Sequence, residues 1–243
     1  MAADPGAAPV SEAGPGRGRG SERGRGRGGG LFVSFEGGDG AGKSTQLRRL
    51  ADRLRAAGRE VVATREPGGA PGAEQIRALV LEGEAGRWSP VSELLLFNAA
   101  RRDHAERVIV PALARGAVVL CDRFADSTLV YQGAARDAGV GGLPGPSPEM
   151  AEALHALVIG IEPDATLIFD LDPEIALSRG VARGGEELRF ERLGLAFHQS
   201  VRARFRALAE RAPARCRLID ASGGAEAVAA RVDAALAPLL EPA

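Results

Sequence analysis

The chain has 243 residues, a formal net charge of −1 and two cysteines. Because the net charge is so close to zero, the overall charge does not indicate a polyanion as a binding partner. No stretch approaches the roughly twenty apolar residues that a membrane span needs. Cys121 and Cys216 lie in apolar runs without the spacing of metal ligands, so we expect buried, reduced thiols in a cytoplasmic protein.

Residues 1–30 differ from the rest of the chain in composition. Arginine and glycine alternate over 17–20 and 23–28 without a hydrophobic period, so we expect a disordered extension. The segment also lacks the apolar centre of a signal peptide. The alternative is a tail that binds nucleic acid through its arginines, although no aromatic residues are interleaved with them. Residues 31–243 are then expected to form one α/β domain with a sizeable core.

Strand and helix patterns alternate along residues 31–243. Short β-prone runs predict five strands, at 31–35, 60–64, 117–121, 165–169 and 216–219. Apolar residues at helical spacing predict helices at 44–57, 74–81, 91–114, 127–135, 148–158, 173–181, 193–211 and 226–239. This alternation indicates a parallel sheet wrapped by helices, with ligands bound at the carboxyl ends of the strands.

The first strand leads into a segment that matches the phosphate-loop pattern G-x-x-x-x-G-K-[ST]. The matching residues, with the next residue of the helix, are Gly37, Gly38, Asp39, Gly40, Ala41, Gly42, Lys43, Ser44 and Thr45. Such a loop turns its backbone N–H groups around the phosphates of a nucleotide, and the Ser44 hydroxyl is expected to bind Mg²⁺. Lys43 is the only lysine beside thirty arginines, which indicates that a flexible ammonium is needed at this position.

Polar residues also follow three later strands. Arg65 comes after the second strand, where it can bind an anion. Asp122 follows the third strand, where a carboxylate that organises Mg²⁺ is expected, and Arg123 beside it can hold a second phosphate. Asp170 follows the fourth strand and is either a rival for the metal role or a cap of the next helix.

Two pairs of residues are candidates for a base pocket. Phe97 and Arg101 are one helical turn apart, so the ring can stack on a base while the guanidinium donates to the base edge. Thr128 and Gln132 are also one turn apart and can line a pocket wall. A core phenylalanine beside a surface arginine is the simpler alternative for the first pair.

A later segment, rich in arginine and glycine, predicts a lid over about 180–192. A lid closes over the transferring phosphoryl group and excludes water, and its arginines stabilise the charge of the transition state. Arg179 and Arg183 are the candidates for that charge. The alternative is an ordinary solvated loop.

Together these segments resemble the thymidylate kinase (dTMP kinase) family over essentially all of residues 31–243. The resemblance is carried by residues 35–37 (Phe-Glu-Gly), 64–69 (Thr-Arg-Glu-Pro-Gly-Gly), 96–101, 121–124, 127–128, 131–133, 170–174, 189–191 and 219–221. It implies the three-layer α/β fold of P-loop NTPases of the nucleoside monophosphate kinase type, with a central parallel sheet. It also implies transfer of the γ-phosphoryl group of Mg·ATP to dTMP, giving dTDP and ADP for dTTP biosynthesis.

The resemblance also implies roles around the acceptor nucleotide. Arg65 and Arg123 would hold the acceptor phosphate, Asp39 would meet the sugar 3′-hydroxyl, and Phe97 would stack on thymine. The other residues expected at dTMP are Arg101, Thr128 and Gln132 at the base and Phe190 near the deoxyribose.

On the donor side, the resemblance implies that Ala221 lies by the adenine of ATP. The residue after Asp39 is Gly40 rather than arginine, so the lid arginines would supply the charge at the transition state, as in bacterial members. Ser44 and Asp122 would hold Mg²⁺. Family members pair as homodimers through helices, and we expect the same here.

Three rival functions follow from the residues alone. A phosphate-loop kinase for another nucleoside monophosphate would share most of these features. A GTP-binding switch would need an Asn-Lys-x-Asp motif, which a chain whose only lysine is Lys43 cannot contain. A nucleic-acid binder would depend on the arginine-rich tail.

Overall fold

The structure is a computed structural model that describes residues 29–82, 86–140, 142–181 and 193–240. Within them, five parallel strands form one sheet in the order β2-β3-β1-β4-β5. The strands are β1 (Leu31–Gly37), β2 (Val61–Arg65), β3 (Val118–Asp122), β4 (Ala165–Asp170) and β5 (Cys216–Asp220). All five predicted strands are confirmed, and β2 to β5 each run one residue further than predicted, to the polar residue at the carboxyl end.

Helices connect the strands and cover both faces of the sheet. They are α1 (Lys43–Ala56), α2 (Pro71–Leu81), α3 (Pro90–His104), α4 (Val110–Ala114), α5 (Ala125–Asp137), α6 (Pro148–Val158), α7 (Pro173–Val181), α8 (Gly194–Arg211) and α9 (Ala225–Leu240). The predicted helix at 91–114 is interrupted by a π-helical turn, Ala105–Ile109, between α3 and α4. Pro111 follows this turn, and its missing N–H and its ring cannot be accommodated in a regular α-helical ladder.

The sheet is apolar on both faces because parallel strands are buried between helix layers. Every residue of β1 is buried, with Val33 and Phe35 packed against α1 and α9. Phe32 faces the opposite side, where Ile109 and Phe124 pack against it. The strand that precedes the phosphate loop is therefore held rigidly from both sides.

The strand order places the functional loops at one edge of the sheet. From β1 the chain passes first to β2 and β3 on one side and then to β4 and β5 on the other. The carboxyl end of β1 thus lies between β3 and β4, at the switch point where open α/β sheets bind ligands. Phe35 pairs with Asp122, and Asp122 pairs with Arg65, so the polar strand ends are in register.

Two predicted segments fall largely or wholly outside the described residues. They are the extension at 1–30, of which 29 and 30 are described, and the lid, including Arg183 and Phe190 within 182–192. Among the helices that the structure does describe, none combines the length and the apolar character that a membrane crossing needs.

Candidate active site

The phosphate loop joins β1 to α1 and is shaped by glycine. Gly40 has a φ of 81°, and a Cβ there would lie 2.0 Å from the carbonyl oxygen of Ala176 on α7, so only glycine fits. Gly42, with a φ of 91°, precedes the first residue of α1. Lys43 is buried and its Nζ donates to the carbonyl oxygens of Gly37, at 3.1 Å, and Gly38, at 2.8 Å. The loop therefore gathers an ammonium group and a helix N-terminus, which suit an anionic phosphate.

Oxygen donors for a hard cation lie beside this loop. The Ser44 hydroxyl, at the start of α1, is 2.5 Å from Oδ2 of Asp122 at the end of β3. A hydroxyl and a carboxylate next to phosphate oxygens are the ligands that Mg²⁺ takes in phosphoryl-transfer sites, so these two residues fit the ion. Thr45 follows in the first turn of α1.

Asp170, the rival for the metal role, has a different task. Its carboxylate accepts hydrogen bonds from Arg202, at 2.6 Å, and Arg206, at 2.7 Å. The alternative that it caps α7 is wrong, because Oδ1 of Asp172 accepts from the backbone N–H of Glu174 instead. The cap lies two residues later because β4 continues through Asp170 and the helix begins only after it.

A cleft opens beside the phosphate loop, between the end of the sheet and helices α3 and α5. Six of the predicted site residues line it: Asp39, Phe97, Arg101, Arg123, Thr128 and Gln132. The structure thus brings together six of the eight residues predicted for the acceptor, from three separate parts of the chain.

Arg123 connects the cleft to the phosphate loop. Its guanidinium forms an ion pair with Asp39, donates to the Gly37 carbonyl at 3.2 Å, and lies 4.9 Å from the centre of the Tyr131 ring. Arg123 has a φ of 71°, a strained conformation for a residue with a side chain that is typical of functional sites. Burial raises the pKa of the Asp39 carboxyl, but the charges of Arg123, Lys43 and His198 outweigh burial and lower it.

Glu36 is connected to Arg123 through hydrogen bonds to the residues that follow it. This buried carboxylate accepts from the backbone N–H of Phe124 at 2.7 Å and from the Ser127 hydroxyl, and Ser127 in turn accepts from Arg123 at 3.0 Å. It thereby holds Phe124 and Ser127, the residues that follow the strained conformation at Arg123. Desolvation, aided by the nearby charge of Asp126, raises the pKa of Glu36 to about 8.

Arg101 is held inside the cleft wall by a buried polar network. Its Nε donates to Glu66 at 2.7 Å, and one terminal nitrogen donates to Thr128 at 2.8 Å. Glu66 also pairs with Nδ1 of His104 at 3.0 Å, while Nε2 of His104 lies 2.7 Å from the Thr64 hydroxyl. Arg101 is therefore a buried, oriented residue rather than the surface arginine of the simpler alternative.

Cys121, which lacks the sequence spacing of a metal ligand, lies beside this network, and its thiol donates to the Arg123 carbonyl at 3.0 Å. Ligand atoms of Glu66, His104 and Cys121 lie within 4.8 Å of one another. Both ring nitrogens of His104 are already hydrogen-bonded, and burial raises the pKa of the Cys121 thiol well above its usual value. We therefore interpret the cluster as support for Arg101. The prediction of two buried, reduced cysteines is confirmed.

Comparison with known proteins decides the family. The family model described as thymidylate kinase matches residues 35–232. The chain belongs to the thymidylate kinase family. A thymidylate kinase of Caulobacter vibrioides is 58% identical over 203 residues, which cover 84% of this chain and 94% of that protein. For a thymidylate kinase of Ruegeria pomeroyi the identity is 57% over 203 residues, covering 84% of this chain and 92% of the relative.

A solved structure supports the same family. The crystal structure of thymidylate kinase from Ehrlichia chaffeensis superposes with a TM-score of 0.67 at 34% sequence identity, covering 86% of this chain and 99% of that chain. The predicted family and the predicted P-loop α/β fold are thus both confirmed.

Three residues to which the thymidylate kinase resemblance assigns roles lie apart from the cleft lining. Arg65 is about half exposed and pairs with Glu74 at 3.0 Å. Arg179 is exposed on α7. Ala221 is buried just after β5, where its N–H donates to the Asp170 carbonyl at 2.9 Å. Their roles at the acceptor phosphate, in the lid and by adenine stay predictions.

Sequence reasoning missed two residues of the candidate site. Glu93 is buried and accepts from Nε2 of Gln132 at 2.9 Å, so it orients that amide. Its signal was its position one helical turn before Phe97. Tyr131 lines the cleft, and its hydroxyl lies 3.1 Å from a terminal nitrogen of Arg123. In the sequence, residues 131–133 contribute only to the family resemblance, which assigns Tyr131 no role.

Proposed function

We propose that the chain transfers the γ-phosphoryl group of Mg·ATP to dTMP through the cleft and the phosphate loop described above. The observation that carries the proposal is the contact between Arg123 and Asp39, where the phosphate loop meets the cleft lined by Phe97 and Arg101. Two nucleotides bound on either side of this contact would have their phosphates facing each other. That arrangement is what direct phosphoryl transfer requires.

ATP is expected to bind with its phosphates in the loop 37–44. Lys43 would exchange its carbonyl partners for β- and γ-phosphate oxygens, because a charged phosphate is the better acceptor. Ser44 and Asp122 would hold Mg²⁺, which when bound neutralises developing charge on the phosphate oxygens. Backbone N–H groups at the start of α1 would complete the anion site.

The cleft is expected to take dTMP. Phe97 offers a ring for stacking on the pyrimidine, while Arg101 and Gln132 offer donors held in place by Glu66 and Glu93. Arg123 lies where the cleft meets the loop, and its guanidinium would exchange some of its present partners for oxygens of the acceptor phosphate. Arg65 is proposed as a second cation for that phosphate once it leaves Glu74.

The reaction needs positioning and electrostatics more than proton transfer. The acceptor oxygen belongs to a phosphate that is already ionised at neutral pH, so no residue has to remove a proton from it. Arg123 aims the acceptor, Lys43 orients the donor, and Arg179 and Arg183 are proposed to stabilise the charge that develops between them. A kcat that followed the titration of one carboxylate or histidine through neutral pH would count against this mechanism.

A substrate panel tests the proposal. ADP release from Mg·ATP would be measured with dTMP, dUMP, dCMP, AMP and GMP as acceptors, with the highest kcat/KM expected for dTMP. Turnover confined to a purine monophosphate would refute the acceptor assignment. Lys43→Ala is expected to lower kcat by orders of magnitude, whereas Arg49→Ala, which removes an exposed cation from the same helix, is the matched control.

We further propose a homodimer in the cytoplasm. Exposed apolar side chains on two helices support the pairing of two copies: Leu95 on α3 is 52% exposed and Leu157 on α6 is 83% exposed. The two buried thiols suit a reducing compartment. Light scattering on the purified chain tests the dimer, and a monomer mass at micromolar concentration would refute it.

A further inference from the structure

His198 is a buried histidine to which the proposed reaction gives no task. It lies in the second turn of α8 with 5% of its surface exposed. Its Nε2 atom is buried and has no hydrogen-bond partner in the part of the chain that the structure describes. Burying a ring nitrogen without a hydrogen-bond partner costs free energy. Such an atom in a native protein therefore indicates that a bound ligand supplies the missing partner.

The surroundings of His198 indicate where that ligand lies. His198 lines a cavity together with Gly38, Asp39 and Ala41 of the phosphate loop. Asp39 lines both this cavity and the proposed acceptor cleft, so the two spaces meet at its carboxylate. His198 therefore lines a space that meets the acceptor cleft at Asp39, where two nucleotides would face each other.

The other charged groups of this region are engaged elsewhere. Asp39 is paired with Arg123 and accepts from the Tyr131 hydroxyl at 3.3 Å. Arg202 and Arg206, which also line the cavity, donate to Asp170. Lys43 donates to loop carbonyls. With these groups committed, the Nε2 atom of His198 is available to a bound molecule.

The packing of α8 favours the acceptor over the donor. Phe197, the preceding residue, packs its ring 6.2 Å from that of Tyr131. Tyr131 lines the acceptor cleft and contacts Arg123. We propose that Nε2 of His198 forms a hydrogen bond with an oxygen of the sugar–phosphate part of the acceptor nucleotide, next to Asp39. This inference rests on the proposed function, because it takes dTMP as the acceptor.

Substitution at His198 separates this role from a structural one. In His198→Phe an apolar ring of similar shape replaces an imidazole whose Nε2 has no partner among the described residues, so the ligand-free protein is expected to keep its Tm. In the same variant the hydrogen bond to dTMP is lost, and the Kd for dTMP is expected to rise about tenfold. A residue needed only for packing would give the opposite pattern, with a lower Tm and an unchanged Kd.

The experiment combines calorimetric titration with thermal unfolding on the full chain. His198→Gln keeps an N–H near the position of Nε2 and is expected to bind dTMP within about threefold of the unsubstituted chain. His155→Phe is the matched control: among the described residues Nδ1 of His155 is also buried without a partner, but His155 lies on α6. Binding of a non-hydrolysable ATP analogue should be unchanged in all three variants.

Each outcome is decisive. A His198→Phe protein that binds dTMP within twofold of the unsubstituted chain would overturn the inference, as would a loss of affinity for the ATP analogue alone. If His198→Phe does not fold, His198→Asn, whose amide is too short to reach the Nε2 position, replaces it with the same expected loss. An unsubstituted chain that fails to bind dTMP would refute the proposed function itself, and the inference with it.

Discussion

Replacing Arg101 by alanine is expected to destabilise the protein as well as weaken pyrimidine binding. The side chains of Arg101 and Glu66 are only 4% and 3% exposed, and their atoms lie 2.7 Å apart. Without the guanidinium, Glu66 would remain a buried carboxylate whose remaining partner is His104. Removing one member of a buried ion pair costs about 3–5 kcal/mol, because the other charge stays desolvated.

The loss of stability in Arg101→Ala can be measured by thermal unfolding. One kcal/mol shifts Tm by about 2–4 °C in a domain of this size, so Arg101→Ala should lower Tm by about 6–20 °C. Arg107→Ala, on the same stretch of helix, removes an exposed partner of Asp103 and should change Tm little.

A double variant separates stability from recognition. Arg101→Met combined with Glu66→Gln leaves no buried charge and keeps an amide beside His104, so most of the lost Tm should return. Affinity for dTMP should not return, because the donor to the base is still missing. The reasoning is refuted if Arg101→Ala leaves Tm within 2 °C, which is about the smallest shift for one kcal/mol, and the base-reading role is refuted if dTMP selectivity over other monophosphates is unchanged.

Three further predictions follow from other parts of the fold. Gly40→Ala should abolish turnover and lower Tm by more than Gly223→Ala, which has a similar φ of 84° but open space around it; equal Tm values would refute the packing argument. Because the pKa of Glu36 rises to about 8 in the folded state, its contribution to stability is lost as pH rises from about 4.5 to about 8. Urea unfolding should therefore find Glu36→Gln gaining stability relative to the unsubstituted chain over that range, and a constant difference would contradict this. Cys121 and Cys216 should react with a thiol reagent only at the rate of unfolding, since burial raises both pKa values; fast labelling of the native protein would count against it.

Residues of the candidate site could be predicted from the sequence where a short local pattern is specific for one chemical function. The phosphate loop could be identified from residues 37–44 alone, because glycine spacing and a lysine determine how a backbone wraps a phosphate. Phe97 and Arg101 were predicted to share a helix face, and the structure places both in one cleft. Spacing did not reveal that Arg101 is buried, since Glu66 lies 35 positions away in the chain.

The amino-acid sequence by itself determined the order of strands and helices, the phosphate loop and the family, because these depend on neighbours within a few residues. Tertiary structure alone decided which partners each charge has. Asp122 meets Ser44, and Glu36 supports the turn at Arg123, only because parallel strands bring their carboxyl ends to one edge of the sheet. The position of His198 in one cavity with phosphate-loop residues likewise depends on how α8 packs. Buried polar contacts join distant segments through space, so local patterns cannot encode them.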